Sequence, residues 1–396
     1  MTTYYDDLET RAPDARAASM AECLPAQIRA AQALPGYAES LAGISAGEVT
    51  DRAALAKLPV LRKAELGAAQ TAHPPLGGFT TTDPAGFAHL FQSPGPLYEP
   101  GQTSHDWWRV GRFLHACGVG RGDIVQNCFG YQLTPAGMIF ENGARAVGAT
   151  VLPAGTGQTE LQVRAAADLG TTAYAGTPDY LKVILDKAAE QGVALRIARA
   201  AVSGGALFPS LRAEYAERGV TCLQCYATAD LGLIAYESPP PDGGTPEGMI
   251  VDEGVILEIV TPGTGDPVAD GEVGEVVVTS LNPDYPLIRF ATGDLSAVLP
   301  GESPCGRTNL RIRGWMGRAD QTTKIKGMFV RPEQVADLVA RHPEIARARV
   351  VATREGEQDA MLVQVEAEGG DPAAFEASVA EMLKLKGRVE IVAPGS

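Results

Sequence analysis

Short apolar segments alternate with longer amphipathic segments between Asp106 and Ser203. The apolar segments, among them Ile124 to Phe129 and Thr171 to Ala175, have the length of buried strands. Glu160 to Leu169 and Tyr180 to Gln191 instead repeat apolar residues with helical spacing. A crossover between parallel strands needs about a dozen residues and is usually a helix. The alternation therefore predicts βαβ units around a parallel sheet.

The rest of the chain has two other patterns. After Tyr236, short β-rich segments such as Met249 to Val251 are separated by turns rich in Gly, Pro and Asp, which predicts antiparallel strands. Further on, a helix over Pro332 to Arg341 is flanked by strand-like segments. We therefore predict an α/β fold: a large N-terminal domain, residues 1–316, of βαβ-built sheets plus an antiparallel β region, and a small, separate α+β C-terminal domain, residues 317–396.

Helices are also predicted before and at the start of the alternating region. Tyr4 to Leu66 reads as a helical lead-in that contains the Ala- and Leu-rich stretch Ala15 to Leu34. Pro25 predicts a helix break or start within that stretch, because proline lacks the backbone donor that a helix interior needs. An amphipathic helix is predicted over Trp107 to Cys117.

The charge balance argues against two classes of partner. Against 33 Lys+Arg stand 48 Asp+Glu in 396 residues, a net charge of −15, which is unfavourable for binding nucleic acid or anionic membranes. No apolar run approaches the roughly 18 residues that span a bilayer. The acidic opening segment also lacks the basic and apolar regions of a secretory signal. We expect a cytoplasmic protein with neither nucleic acid nor a membrane as partner.

The six cysteines are spread over a long chain, which favours free thiols over a disulfide framework. Cys222 and Cys225 have the spacing of a metal or redox pair. They nevertheless lie on a predicted buried strand, where alternate side chains face opposite sides, and no second pair of cysteines accompanies them. We predict that both are buried thiols.

Three short motifs indicate a nucleotide site. A Gly-Gly turn that leaves a strand lets a flat ring approach the backbone, because no side chain is in the way. An aromatic ring such as that of Tyr226 can stack on a base, and Asp294, at the end of a β segment, offers two acceptors to the paired hydroxyls of a ribose. The candidates for nucleotide binding are Ser203, Gly204, Gly205, Ala206, Tyr226, Ala227, Asp294 and the donor Arg318.

Longer motifs occur along most of the chain. They include Phe129-Gly130-Tyr131, Val151-Leu152-Pro153, Gly176-Thr177-Pro178-Asp179-Tyr180, Gly271-Glu272-Val273-Gly274-Glu275, Pro286-Leu287-Ile288-Arg289-Phe290 and Gly317-Arg318-Ala319-Asp320. On these motifs the chain is identified as a member of the adenylate-forming superfamily. Within it, the chain resembles the phenylacetate-CoA ligases.

The resemblance implies a reaction in two steps. A carboxylate, expected to be aromatic or small and hydrophobic, attacks the α-phosphate of ATP to give an acyl-adenylate, and the thiol of coenzyme A then displaces AMP. The protein supplies no nucleophile, so catalysis depends on positioning and on charge stabilisation by Mg²⁺ and cationic donors. The family is often dimeric, which makes a homodimer an expected assembly.

The resemblance also nominates residues for each role. The wall of the acyl pocket is assigned to Phe129, Gly130, Tyr131 and Pro178. The catalytic candidates are Asp230, which is also a weak candidate for Mg²⁺, Lys326, and Asp320 as the hinge of a rotating C-terminal domain. Some relatives carry zinc on cysteines and a histidine, but only Cys305 remains here at such a position, so no zinc site is expected.

The phosphate loop departs from the family. Where the family reads Ser-Ser-Gly-Thr-Thr-Gly-Lys-Pro, this chain reads Ser93-Pro94-Gly95-Pro96-Leu97-Tyr98-Glu99-Pro100. Ser93 and Gly95 stay as candidates for phosphate contact, but both threonines and the lysine are absent. Glu99 is expected to place a negative charge where a phosphate needs a positive one. We therefore expect weakened ATP binding.

Two further departures concern catalysis. The family has Thr-Glu where this chain has Ala229-Asp230, and the shorter Asp230 would reach Mg²⁺ only after a backbone movement or through a water. The family continues past Pro-Gly-Ser to an adenylation lysine, whereas this sequence stops at Pro394-Gly395-Ser396. The expectation at this point is either a sequence cut there or a protein without that lysine.

Three functions fit these observations. The first is a ligase that uses ATP, Mg²⁺ and CoA, which the motifs along the chain favour. The second is a non-adenylating relative that binds AMP, an acyl-adenylate or a CoA thioester, which the altered phosphate loop favours. The third is an acyl transferase that retains only the second half-reaction.

Overall fold

The structure is a computed structural model that describes residues 4–93, 96–319, 323–325, 328–330, 332–355 and 358–393. The predicted site residues Gly95, Asp320 and Lys326 lie outside these ranges. The helices are α1 (Pro13–Gln32), α2 (Arg52–Leu55), α3 (Lys63–Ala72), α4 (Gly111–Ala116), α5 (Ala136–Ala146), α6 (Thr159–Leu169), α7 (Pro178–Glu190), α8 (Pro209–Glu217), α9 (Pro332–Arg341) and α10 (Pro372–Leu383).

The strands begin with a set that lies before the chain's midpoint: β1 (Leu61–Arg62), β2 (His89–Ser93), β3 (Leu97–Gly101), β4 (Ile124–Asn127), β5 (Thr150–Pro153), β6 (Ala173–Gly176) and β7 (Arg199–Val202). Those that follow are β8 (Thr221–Thr228), β9 (Gly232–Tyr236), β10 (Met249–Val251), β11 (Val255–Val260), β12 (Val273–Ser280), β13 (Phe290–Leu299), β14 (Arg311–Ile312), β15 (Thr323–Ile325), β16 (Met328–Val330), β17 (Ile345–Glu355), β18 (Gln358–Ala367) and β19 (Arg388–Val392).

The predicted α/β architecture is confirmed. Strands β5, β4, β6, β7 and β8 lie side by side in this order and are all parallel, and each of the four connections from β4 to β8 contains one helix, α5 to α8. The sheet continues through β9, β10 and β14, which pair in an antiparallel manner, to β13, β12 and β11. Because the strands of the parallel part end at one edge, the turns that leave them lie close together.

The chain divides into two compact units. One consists of Met1–Thr292 and Ser296–Gly314, and the other consists of Gly293–Leu295 and Trp315–Ser396. The second unit therefore includes three residues of β13 that the sequence assigned to the large domain. It contains the sheet β17-β18-β19 and helices α9 and α10. The mobility of this unit stays a prediction.

Two predicted helix boundaries are wrong. Helix α1 runs through Pro25 without a break, because this proline is buried in the core beside Leu24 and Ile28, whose packing offsets one missing hydrogen bond. The helix expected from Trp107 begins only at Gly111. Arg109 has a φ of +65°, which a helix does not allow, and its guanidinium is directed inward to Asp252 at 3.0 Å. A buried ion pair thus overrides the amphipathic pattern.

The core of the first unit is built from apolar side chains of the lead-in helices and of the antiparallel strands. In that core Leu24, Leu66 and Phe290 are fully buried. All six cysteines are free and Cys222 and Cys225 are buried, which confirms the interpretation of their spacing. Within the described ranges, no helix is both long and apolar enough to cross a membrane.

Candidate nucleotide and acyl site

The turn that follows β7, residues 203–207, is called the glycine turn below. The Ser203 hydroxyl donates a hydrogen bond of 3.1 Å to the carbonyl of Cys225, and the Leu207 amide donates one of 3.0 Å to Oε1 of Gln224. Gly204 has a φ of +72°, a conformation that favours glycine. The residues Gly204, Gly205 and Ala206 are exposed. The turn is thus fixed to β8 at both ends and presents small residues to solvent.

Tyr226 lies on β8 directly after the residue that holds the glycine turn. Its side chain is buried in the core of the first unit, with 8% of its surface exposed. Ala227, the next residue, is half-buried. The structure therefore brings Ser203 and the start of the Tyr226-Ala227 motif together, as the sequence predicted from separate motifs. Stacking of a base on Tyr226 stays a prediction.

Two of the predicted acyl-pocket residues lie against the same turn. A Cβ added to Gly204 would lie 3.9 Å from Cε1 of Phe129, and one added to Gly205 would lie 3.3 Å from Cδ of Pro178. The Phe129 ring is buried and stacks on Phe140 with ring centroids 4.3 Å apart. The expected nucleotide turn and two expected acyl-pocket residues are therefore neighbours.

The other two pocket candidates are held at the start of α5. The hydroxyl of Tyr131 accepts a hydrogen bond of 2.8 Å from Nδ2 of Asn127, and the carbonyl of Gly130 accepts one of 2.9 Å from the Gly137 amide. Burial, and then the nearby Glu141 carboxylate, raise the pKa of Tyr131, so its hydroxyl stays neutral at physiological pH. Tyr131 therefore offers an uncharged polar group beside Gly130.

Asp294 and Arg318 belong to the second unit, where they contact each other. Oδ1 of Asp294 accepts a hydrogen bond of 3.2 Å from Arg318 and one of 3.1 Å from Nε1 of Trp315. Gly293 has a φ of +75°, and a Cβ there would lie 2.9 Å from the Arg318 guanidinium, so glycine is needed for this approach. The expectation that Asp294 ends a β segment is wrong, because β13 continues to Leu299. Sequence reasoning missed Trp315, although it lies only two residues before the Gly317 motif.

The described residues of the altered phosphate loop, Ser93 and 96–100, belong to or adjoin the paired antiparallel strands β2 and β3. We call these two strands the phosphate hairpin below. The Ser93 hydroxyl donates a hydrogen bond of 2.6 Å to Oε1 of Glu99, whose side chain is buried. Oε2 of Glu99 has no hydrogen-bond partner among the described residues. Burial, and next the Asp230 carboxylate, raise the pKa of Glu99 to about 8. The negative charge expected from Glu99 is thus mostly neutralised by a proton at pH 7.

Asp230 is buried beside a lysine that sequence reasoning did not assign to the site. Nζ of Lys63 lies 3.0 Å from Oδ2 of Asp230 and 5.8 Å from the centre of the Phe290 ring. Lys63 is the first residue of α3, directly after β1, and β1 pairs with β13 through Leu61 and Phe290. The adjacent residues Arg62 and Lys63 also resemble the family's sequence, and this resemblance was the signal that the sequence offered for Lys63.

The described residues do not form a ready metal site. No group of three or more His, Cys, Asp or Glu side chains in the described ranges is placed to hold a metal ion. Asp230, the candidate for Mg²⁺, has a side chain that is only 1% exposed and is paired with Lys63. Mg²⁺ needs an accessible carboxylate and keeps several waters or phosphate oxygens. Asp230 therefore does not fit Mg²⁺ in this conformation.

Comparisons with known proteins include the segment that forms the glycine turn. The family model described as "AMP-binding enzyme" matches residues 133–282, a stretch that contains the glycine turn and Tyr226. Phenylacetate-coenzyme A ligase of Thermus thermophilus is 31% identical over 65% of this chain and 59% of its own length. The matching segment thus spans less than two thirds of that relative. The phenylacetate-coenzyme A ligase of Pseudomonas putida is 29% identical over 91% of this chain and 84% of its own length.

On these matches the chain is phenylacetate-CoA ligase-like. A solved structure supports the fold of this ligase-like chain over its whole length. An open conformation of 2-hydroxyisobutyryl-CoA ligase, crystallised with 2-HIB-AMP and CoA, superposes with a TM-score of 0.87 and covers 100% of this chain and 92% of that one. The two sequences are only 22% identical, so the likeness concerns the fold.

Proposed function

We propose that the chain forms an acyl-adenylate from a carboxylate and ATP and then a thioester with CoA. The observation that carries this proposal is the glycine turn. It is fixed to β8 next to Tyr226, and it lies within the segment that matches the AMP-binding family. It also lies beside Phe129 and Pro178, which side chains added at Gly204 and Gly205 would touch. In an acyl-adenylate the base and the acyl group are joined through the ribose and the α-phosphate. A base and an acyl group bound side by side on this turn would match that arrangement.

The chemistry needs no nucleophile from the protein. A carboxylate oxygen attacks the α-phosphorus of ATP while the bond to pyrophosphate breaks. The sulfur of CoA then attacks the acyl carbonyl, the thiol proton is lost, and AMP leaves. The chain's role is to orient the reactants, which lowers the barrier by holding the reacting atoms in line.

The side chains can be assigned roles within this proposal. Phe129, stacked on Phe140, provides a flat apolar wall that suits an aromatic carboxylate. The three exposed small residues of the glycine turn let the adenine approach the backbone. Asp294 is assigned to the ribose hydroxyls, with Arg318 and Trp315 fixing its orientation. ATP and CoA are the cosubstrates of this proposal.

Mg²⁺ belongs to the proposal as the usual counterion of ATP, but no step is derived through it because Asp230 does not fit it here. A cytoplasmic location and a homodimer are parts of the same proposal. The resemblance to an often dimeric family supports the homodimer. Light scattering on the purified chain tests the dimer.

A second function is favoured by the phosphate hairpin. The Ser93 hydroxyl donates to Glu99, and the Lys63 ammonium is paired with Asp230. A protein with this arrangement binds AMP or an acyl-adenylate more readily than ATP, since the β- and γ-phosphates find fewer free donors. It would then act as a binding protein or as an acyl transferase.

Calorimetric titrations with AMP and with ATP·Mg²⁺ separate the two functions. The ligase proposal predicts that both nucleotides bind, whereas the second function predicts binding of AMP alone. Asp294→Ala should weaken AMP binding at least about 100-fold, because a buried carboxylate that accepts two hydroxyl donors is lost. Asp168→Ala removes an exposed carboxylate on α6 and serves as the matched control. Equal AMP affinity of the two variants would contradict the assignment of Asp294.

A further inference from the structure

A groove on the first unit has features of a second ligand site. It has a volume of about 640 Å³ and is lined by α1, by the start of α2 and by the ends of β13 and β14. None of the residues assigned above to the nucleotide or acyl site lines it. A neighbouring cavity of about 160 Å³ shares Arg16, Met20, Arg52 and Asn309 with it. We call the two together the arginine groove.

Arg52 is the unusual group of this groove. It lines both cavities, and one terminal nitrogen donates a hydrogen bond of 2.6 Å to the carbonyl of Leu257. Within the described ranges, no carboxylate lies within 4.0 Å of this guanidinium. The nearby Glu258 is already paired with Arg289 at 3.0 Å. A half-buried guanidinium with unused donors faces the cavities.

The surroundings of Arg52 contain more positive than negative groups. Arg11 and Arg16 share one carboxylate, that of Glu253, at 2.7 and 2.8 Å. Burial lowers the pKa of Arg52. The negative charge of Glu258 raises this pKa, whereas the positive charge of Arg16 lowers it further. Asp51 and Asp270 also line the groove, but both are exposed to solvent. An anion placed between Arg16 and Arg52 would relieve the repulsion between the two cations.

Much of the remaining wall is apolar. Ala17 and Met20 on α1 face the groove together with Val298 and Leu310. The volume lies in the range of small-molecule sites, about 300–1,000 Å³. Because the excess positive charge is small and two aspartates lie on the wall, a polyanion such as a nucleoside triphosphate is disfavoured. A single carboxylate on an apolar body matches both the charge and the lining.

We propose that the arginine groove binds a small amphiphilic monocarboxylate, with its carboxylate on Arg52 and its apolar body against Met20 and Val298. The planar guanidinium can donate two parallel hydrogen bonds to a carboxylate, and such charge-assisted bonds are the strong ones. This site goes beyond the function proposed above and does not depend on it.

The test is a calorimetric titration of the full chain with octanoate, with 1-octanol as the uncharged probe. The proposal predicts saturable octanoate binding that weakens at least about tenfold in Arg52→Met, which removes the charge and keeps an apolar side chain of similar length. Ala17→Glu, at an exposed position on the wall, should weaken it similarly because its carboxylate competes for the arginines. Arg29→Met, an exposed arginine of α1 outside the groove, is the matched control and should bind as the wild type. Octanol should bind at least about tenfold more weakly than octanoate.

Several outcomes would overturn the proposal. Absence of saturable octanoate binding to the wild type would do so, as would unchanged affinity in both Arg52→Met and Ala17→Glu. Octanoate in the acyl site would bind equally to all four proteins, so only the component that depends on Arg52 counts. If Arg52→Met lowers the thermal unfolding temperature, Ala17→Glu decides, since it alters only an exposed side chain. Absence of adenylation activity in the wild-type chain would disprove the proposed function. It would not affect the result of the octanoate titration.

Discussion

The glycine turn and the phosphate hairpin both belong to the expected nucleotide site, but their serine hydroxyls have opposite roles. The glycine turn uses the Ser203 hydroxyl to fix its backbone and leaves Gly204 and Gly205 exposed to a ligand. The phosphate hairpin uses the Ser93 hydroxyl to satisfy a buried carboxyl of its own, that of Glu99. A binding surface therefore depends on which of its polar groups lack a hydrogen-bond partner within the protein. A donor that already has such a partner is not available to a phosphate.

The largest effect is expected from the pH dependence of the phosphate hairpin. The pKa of Glu99 is raised in the folded chain to about 8 from an ordinary value of 4.5, so the folded state holds a proton that the unfolded state has lost between these values. The contribution of Glu99 to stability should therefore be greatest below pH 4.5. This contribution, about 5 kcal/mol, should be lost progressively as the pH rises from 4.5 to 8. Urea unfolding at several pH values measures it.

Glu99→Gln is the variant for this prediction. It should remove most of the loss between pH 5 and pH 9, because glutamine stays neutral and its carbonyl can still accept the bond from Ser93. Glu39→Gln, an exposed carboxyl of the lead-in segment, is the control and should behave as the wild type. Identical pH profiles for Glu99→Gln and the wild type would mean that Glu99 is not a buried acid.

The next effect concerns the glycine turn. Gly204→Val should reduce AMP affinity about 100-fold, because the side chain would crowd Thr177 and Phe129 on the proposed ligand surface. Gly192→Val is a matched control, since Gly192 also has a positive φ, +64°, but a Cβ there meets nothing within 4 Å. Both variants should lose about 1–2 kcal/mol of stability from the strained backbone. Equal AMP affinity in the two would place the nucleotide elsewhere.

A smaller effect is expected from the ion pair beside the phosphate hairpin. Lys63→Met should destabilise the chain by about 2 kcal/mol, because the buried Asp230 carboxylate would lose its nearest cation; exposure of the lysine keeps the value below that of a fully buried pair. Asp230→Asn in the same chain should restore most of the loss. A double-mutant cycle from urea unfolding measures the coupling, and a coupling energy near zero would contradict the pair.

The smallest effect is expected from Ser203→Ala. Loss of the bond to the Cys225 carbonyl should cost about 1 kcal/mol of stability and loosen the glycine turn. Thermal unfolding and AMP titration of this variant give both quantities. AMP affinity that is unchanged despite the lower stability would show that the turn does not need this bond to bind its ligand.

The sequence predicted what depends on periodicity and on local motifs. The βαβ alternation predicted the parallel strands, and the helix over Pro332–Arg341 and the strand Met249–Val251 were predicted with their observed bounds. Separate motifs also nominated Ser203, Tyr226 and Phe129, which the structure places around one turn. Such motifs can be recognised in the sequence because their residue types suit one local backbone conformation.

The sequence could not predict what depends on distant partners. The start of α4 is moved by the ion pair of Arg109 with Asp252, 143 residues away in number but adjacent in space. Glu99 was expected to face a phosphate, yet burial beside Asp230 turns it into an acid that keeps its proton. For the same reason, restoring the family's Thr-Thr-Gly-Lys at positions 96–99 would place a lysine at a buried position and a threonine at that of buried Leu97. The variant would therefore bind ATP more tightly only if the phosphate hairpin opened and exposed the introduced lysine.

The most direct test of the central claim is the exchange of radiolabelled pyrophosphate into ATP, measured on the purified chain with a panel of aromatic and small aliphatic carboxylates. We predict exchange that depends on the carboxylate, is strongest with an aromatic acid, and is lost in Gly204→Val but kept in Gly192→Val. Tight AMP binding without exchange for any acid of the panel would contradict it, and would mean that the chain binds adenylates without forming them.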